Sequence, residues 1–349
     1  MSLDLRTNFG GLVLHSPIVV SACPLMAQDQ MRLAVQTAGA GAIILPSLFE
    51  EQVLLAHQRD GFCLSADEQR LMQHVKSMEI EPHCTSAQQY LAMVNRASTQ
   101  MSIPVIASLN GFATSSWIDF AGELEGAGAD AVELCLQVSR DDFVQCPRNF
   151  EDAIVQTIQR TKRSITVPLF VKLQRQFTSL PNLAQRLLSG ADGIVLFATP
   201  PRIDICLDRL TLKQRWNLSP GGSIIDSLET IMRVHRACPA MPIAACGGIA
   251  DSIDLLRALL AGADVGMVAS SVYRAGADSI RSMIDGLIVF MEKHGWQSTA
   301  EIYQRRPVLG DEDASRQGYL KSMSQPEFDQ LAGGPEQLLV RGDGYGHLK

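Results

Sequence analysis

Apolar runs recur along the chain in two alternating forms. Four begin with proline: Pro17-Ile-Val-Val-Ser-Ala22, Pro104-Val-Ile-Ala-Ser-Leu109, Pro168-Leu-Phe-Val-Lys-Leu173 and Pro242-Ile-Ala-Ala-Cys246. Four follow a Gly-Ala step: Gly39-Ala-Gly-Ala-Ile-Ile-Leu45, Gly128-Ala-Asp-Ala-Val-Glu-Leu134, Gly190-Ala-Asp-Gly-Ile-Val-Leu196 and Gly262-Ala-Asp-Val-Gly-Met-Val268. Each form predicts a strand for its own reason. Proline is tolerated at the first residue of a strand, before its N–H is needed in the ladder. Glycine is the usual residue just past a helix end, so Gly-Ala-Asp before an apolar run reads as helix stop, then strand. The runs are continuously apolar, as parallel strands covered on both faces are.

Segments with apolar residues at helical spacing lie between the runs, at 116–125, 150–161, 180–188 and 252–260. Eight strands separated by helices predict a closed (β/α)₈ barrel of the TIM type. Residues 1–295 form that single domain, and 296–349 form a C-terminal extension packed on it or trailing from it. Two connections are long, 48–103 after the second strand and 198–241 after the sixth. Long connections without regular pattern are usually lids or binding loops.

Composition narrows the function. A hydrophobic fraction of 46% with 19% charged residues describes a globular chain, not a disordered one. The net charge of −7 argues against nucleic-acid or anionic-membrane binding, which want a basic surface. No apolar run reaches the roughly 20 residues that a membrane span needs. The eight cysteines are scattered, with no CxxC pair, so no metal or iron–sulfur site is expected. They read as free thiols of a reducing cytoplasm. The seven histidines do not gather at strand ends. The pairs Glu50-Glu51 and Asp141-Asp142 read as solvated charge.

Active sites of such barrels sit at the carboxyl ends of the strands. Those ends carry Ser21-Ala22, Ser47, Asn110-Gly111, Glu133 with Cys135, Lys172 with Gln174, Phe197-Ala198, Gly247-Gly248 and Ala269-Ser270. Glycines after the seventh strand expose backbone N–H groups, and Ser270 adds donors after the eighth. Together they predict the phosphate site that recurs at these two loops. Lys172 sits in an apolar strand and shares a face with Phe170. If that face is the interior, its ammonium needs an anionic partner. Glu133 is one candidate and a cofactor oxygen another. Asn110-Gly111 either meets a ligand or turns the chain.

These residues resemble the dihydroorotate dehydrogenases, and more closely a bacterial dihydroorotate dehydrogenase-like branch. The likeness covers about residues 4–290. It rests on Phe9-Gly-Gly-Leu12, Ser16-Pro-Ile-Val-Val-Ser-Ala22, Ser47-Leu-Phe-Glu-Glu-Gln52, Ala107-Ser-Leu-Asn-Gly111, Val171-Lys-Leu173, Cys246-Gly-Gly-Ile249 and Ala261-Gly-Ala-Asp264. It implies flavin mononucleotide (FMN) as cofactor and the oxidation of dihydroorotate to orotate in pyrimidine biosynthesis. Implied cofactor contacts are Ser21, Ala22, Ser47, Asn110, Lys172, Gly221, Gly222, Gly247, Gly248, Ala269 and Ser270. Lys172 would stabilise the anionic reduced flavin. A small-molecule substrate and a homodimer are implied as well.

The substrate side departs from the pattern. Pro46 stands where the family carries lysine, Cys135 where it carries asparagine, and Phe197 or Ala198 where another asparagine is usual. Val138 takes the place of the general base. Ser139, then Cys146, then Cys135 are the replacement candidates. Two alternatives therefore stay open: an FMN oxidoreductase for another small cyclic or unsaturated substrate, and a non-catalytic flavin-binding subunit that passes electrons to a protein partner.

Overall fold

The structure, a computed structural model, describes residues 3–59, 86–111, 116–136, 146–198, 202–215 and 217–309, together with Gln69, 316–318, Leu320 and Lys321. It opens with a hairpin of β1 (Thr7–Phe9) and β2 (Leu12–Leu14). The strands that follow are β3 (Ile18–Val20), β4 (Ala42–Ile44), the short β5 (Leu48–Phe49), β6 (Val105–Gly111), β7 (Ala131–Leu136), β8 (Leu169–Leu173) and β9 (Gly193–Leu196). A second hairpin, β10 (Arg202–Cys206) and β11 (Thr211–Arg215), precedes β12 (Ile243–Cys246) and β13 (Val265–Val268). Strands β3, β4, β6, β7, β8, β9, β12 and β13 pair in parallel in that order, and β13 returns to β3. The result is a closed eight-stranded (β/α)₈ barrel with helices around it.

The repeated sequence steps show what sets the strand starts. The carboxylates of Asp130, Asp192 and Asp264 accept from the N–H groups of Val105, Leu169 and Ile243, at 2.8, 2.8 and 2.9 Å. Those donors each follow a strand-opening proline. In return the Asp N–H groups donate to the carbonyls of the same three residues, at 2.9, 2.8 and 2.7 Å. Each Gly-Ala-Asp step thus clamps the first pairing residue of the neighbouring strand. The fourth step carries Gly41 instead. Its N–H still donates to Ile18 at 2.7 Å, but a Cβ there would lie 2.2 Å from the Ser16 carbonyl oxygen.

The barrel interior follows a period of two. Val19, Ile44, Ile106, Ala131, Phe170, Val195, Ala244 and Met267 belong to one buried cluster inside the barrel. The first hairpin plugs its amino end, with Phe9 stacked on Phe170 at 4.3 Å between ring centroids. Gly193 makes room for the two rings, since a Cβ there would meet both at 3.1–3.2 Å. Two residues further along the strands, the same inward face turns polar: Ser21, Ser108, Glu133, Lys172 and Cys246.

Other findings adjust the expected plan. The 198–241 connection is not patternless: it contains the β10–β11 hairpin and a helix, Ile225–Ala237. The connection after the second strand carries a helix, Ala87–Gln100, whose start is a capping box of Ser86 and Gln89. Glu50 is not solvated. It opens the helix Glu50–Arg59 at 1% exposure, where the helix dipole favours a carboxylate. Residues 1–307 form one compact unit and 308–349 a second, so the boundary expected at 295 falls inside the first. Trp296 and Ile302 are buried within that unit, and Arg306 binds the carbonyls of Leu259 and Ala263. No described helix is long and apolar enough to cross a membrane.

Candidate active site

A cavity of about 490 Å³ opens at the carboxyl ends of the strands. Ser21, Ala22, Ser47, Asn110, Cys135, Lys172, Gly247, Gly248, Ala269 and Ser270 all line it. The alternation that fills the lower barrel with apolar side chains delivers these groups to one place.

The floor is a buried polar network. Lys172 is 8% exposed, and its Nζ donates to Ser21 Oγ at 3.1 Å. It stands 3.6 Å from Glu133 Oε2. Glu133 is fully buried, and its Oε1 accepts from Ser108 Oγ at 3.0 Å. Ser108 Oγ in turn lies 2.8 Å from Ser47 Oγ at the cavity wall. Tyr90 braces this strand, donating its O–H to the Ser108 carbonyl and accepting from the Ser108 N–H. Burial is the largest single influence and works against the Lys172 ammonium, but Glu133, Cys246 and Cys135 together outweigh it, and the lysine pKa lies above its ordinary value. A raised lysine pKa stabilises the fold below the ordinary lysine pKa, and the effect disappears only as pH rises through the raised value. Lys172 is therefore cationic at neutral pH.

The rim has a different chemistry. Gly247 and Gly248 take φ of 96° and 79°, which side chains rarely adopt. A Cβ on Gly248 would also sit 2.3 Å from the Ile224 nitrogen. Ser270 Oγ accepts from the Ser219 N–H at 3.0 Å and keeps its own proton for a further acceptor. Bare glycine backbone beside a serine hydroxyl suits an anionic group such as a phosphate. The cavity thus offers a cation at its floor and neutral donors at its rim, which fits an elongated ligand with a ring system and a phosphate, as FMN has.

The expected residues do not all converge. Gly221 and Gly222 are not among the lining residues. The Gly222 N–H is spent on Asp254 Oδ2 at 3.0 Å and the Gly248 carbonyl at 3.1 Å, so it brings two loops together instead of facing a ligand. Cys146 stands just before the helix Pro147–Ser164 without a side-chain capping bond, is exposed, and is absent from the cavity lining. Ser139 and Val138 lie outside the described residues. Cys135 lines the cavity, but burial pushes its thiol up to about 12, only partly countered by Lys172. Such a thiol holds its proton at neutral pH and is a poor acceptor.

Sequence reasoning missed Asn217, Leu218 and Tyr273 on the wall. It also missed Arg175, one residue past Gln174. The guanidinium of Arg175 lies over the Phe197 ring at 4.6 Å from its centroid. The only signal was position, a cation just beyond a strand end.

No family model matches the chain. Three curated relatives are each named dihydroorotate dehydrogenase B (NAD(+)), catalytic subunit. The protein from Thermoplasma acidophilum is 22% identical over 304 residues, covering 86% of this chain and 97% of the relative. The one from Methanocella arvoryzae is 24% identical, covering 78% and 88%. The one from Methanocaldococcus jannaschii is 21% identical, covering 83% and 94%. In each comparison the likeness extends over most of both partners, so the chain is similar, at low identity, to the dihydroorotate dehydrogenases.

Proposed function

We propose that the chain is an FMN-dependent oxidoreductase of the dihydroorotate dehydrogenase type. The observation that carries this reading is the buried Lys172 ammonium, held by Glu133 and Ser21 on the floor of a cavity whose opposite rim is Gly247, Gly248 and Ser270. The flavin would supply the two-electron redox chemistry. Lys172 stabilises negative charge at the ring end. The backbone N–H groups of Gly247 and Gly248, with the Ser270 hydroxyl, hold the phosphate. The cavity walls hold the substrate flat and limit water, which converts an encounter into an oriented contact.

Oxidising a CH–CH bond also requires a proton acceptor. Cys146 is absent from the cavity lining, so Ser139, first in order among the candidates that follow β7 in the chain, is the residue to test. Ser139→Ala is expected to slow single-turnover flavin reduction by about 10²–10⁴-fold, the usual share of a positioned base. Equal rates in the variant and the parent would remove Ser139 from that role. The whole reading is tested by recording the anaerobic visible spectrum before and after adding dihydroorotate. Bleaching supports dihydroorotate as the substrate. An unchanged flavin spectrum removes dihydroorotate and leaves another small cyclic or unsaturated substrate.

A second reading, a flavin-binding subunit of an electron-transfer complex, is favoured by the β10–β11 hairpin. Ile205 pairs with Leu212 across it, Ile203 shares their face, and Leu207 and Leu210 at the turn are exposed as well. A native pull-down that returns the chain without a stable partner would count against this reading.

A further inference from the structure

A second cavity, of about 440 Å³, shares Ala198, Asn217, Leu218, Ser219, Cys246 and Gly247 with the first. It borders the glycine–serine rim through Gly247 but reaches neither Gly248 nor Ser270, and it has an opposite electrostatic character to the chain as a whole. Arg175, Arg202 and Arg215 line it, against the single carboxylate-bearing residue Asp226, in a protein whose net charge is −7. Arg215 has a counter-ion, Asp204, at 3.1 Å. Arg175 has none among the described residues, but it is fixed in place. It donates to the Asp226 carbonyl at 3.2 Å and to Ser227 Oγ at 2.6 Å, and one face covers Phe197. A guanidinium immobilised by neutral acceptors and an aromatic ring keeps its full charge and its remaining N–H groups. Its planar fork matches a carboxylate. The rest of the wall includes Phe197, Leu218 and Pro220. An apolar wall beside a fixed guanidinium suits an organic acid better than an inorganic ion.

We propose that this annex is a carboxylate subsite, anchored by Arg175, for an organic acid whose remainder reaches into the main cavity. Arg175 and Phe197 then determine which substrate or acceptor the protein takes. The placement of the acid beside a flavin rests on the function proposed above; the anion subsite itself does not.

The test is calorimetric titration of the full-length protein, as purified, at low ionic strength. The probes are benzoate, fumarate and orotate, their amides, and inorganic phosphate. At least one acid is expected to bind the parent protein, with its amide bound at least tenfold more weakly. Arg175→Gln is expected to weaken acid binding by about 10–100-fold, the range for a hydrogen bond to a charged group. Arg175→Lys, which keeps the charge and loses the fork, should fall between. Arg202→Gln, at an exposed position, checks the result against a folding defect and should weaken binding less. The proposal is overturned if no acid binds, if amides bind as well as acids, or if Arg175→Gln binds acids like the parent. It is also overturned if phosphate competes as strongly as the organic acids. The visible spectrum of each sample keeps the two readings apart. Arg175-dependent acid binding in a protein without flavin would sink the flavin reading and leave the subsite standing.

Discussion

At the amino end of the barrel, three strands begin in the same way. Asp130, Asp192 and Asp264 each tie one neighbouring strand by a side-chain and a main-chain hydrogen bond, and a stacked Phe9–Phe170 pair fills the space between the strands. At the carboxyl end no device recurs. Ser21, Ser47, Glu133, Lys172, Cys246 and Gly248 each do something different. The two ends share strands and parity, so the difference lies in what the inward side chains meet. Below, they meet one another, and packing asks only for volume and apolarity. Above, they meet a cavity, where charge and donor geometry decide.

Variants can sharpen this contrast. The largest effect is expected for Lys172→Met, which leaves Glu133 buried without its counter-charge. Breaking a buried pair from one side costs about 3–5 kcal/mol, and the change should also abolish tight binding in the main cavity. The denaturation midpoint at pH 7 checks the first effect, and ligand content of the purified protein the second. The double variant Lys172→Met/Glu133→Gln should recover most of the stability but not the ligand. Recovery of both would mean that Lys172 serves only the fold.

Phe170→Ala acts at the other end. Removing a fully buried phenyl ring costs about 3–5 kcal/mol by lost transfer energy and a residual cavity. Ligand content should stay at the parent level once the protein is folded. Loss of ligand in folded Phe170→Ala protein would show that the two ends are coupled. A smaller effect is expected for Asp130→Ala, which strips the Val105 N–H of its charged acceptor. About 1–3 kcal/mol of stability should be lost, again with ligand content unchanged. A midpoint equal to that of the parent would mean that solvent replaces the clamp without penalty.

The same contrast explains how much was legible in the sequence. The proline-led runs and Gly-Ala-Asp steps recur because a barrel solves one packing problem repeatedly, so the fold could be read from their rhythm. Lys172 was legible because an ammonium in an apolar strand demands an anionic partner, and Glu133 is there. The rim glycines were legible in part. Gly247 and Gly248 line the cavity, but Gly222 spends its N–H on Asp254, a long-range bond with no local signature. Arg175 was not legible at all. Its meaning depends on Phe197, Ser227 and the Asp226 carbonyl, brought together by three separate elements. The β10–β11 hairpin was hidden for another reason. Its strands are exposed, so the burial that usually makes a strand visible in sequence is missing.

The central claim is that the cavity over Lys172 holds FMN. Native mass spectrometry of the purified protein tests it most directly, read beside the absorption spectrum of the ligand released on denaturation. One noncovalent FMN per chain, with a free-flavin spectrum after release, is the predicted result. A folded protein that carries no flavin, and takes none up when FMN is added, would contradict the account.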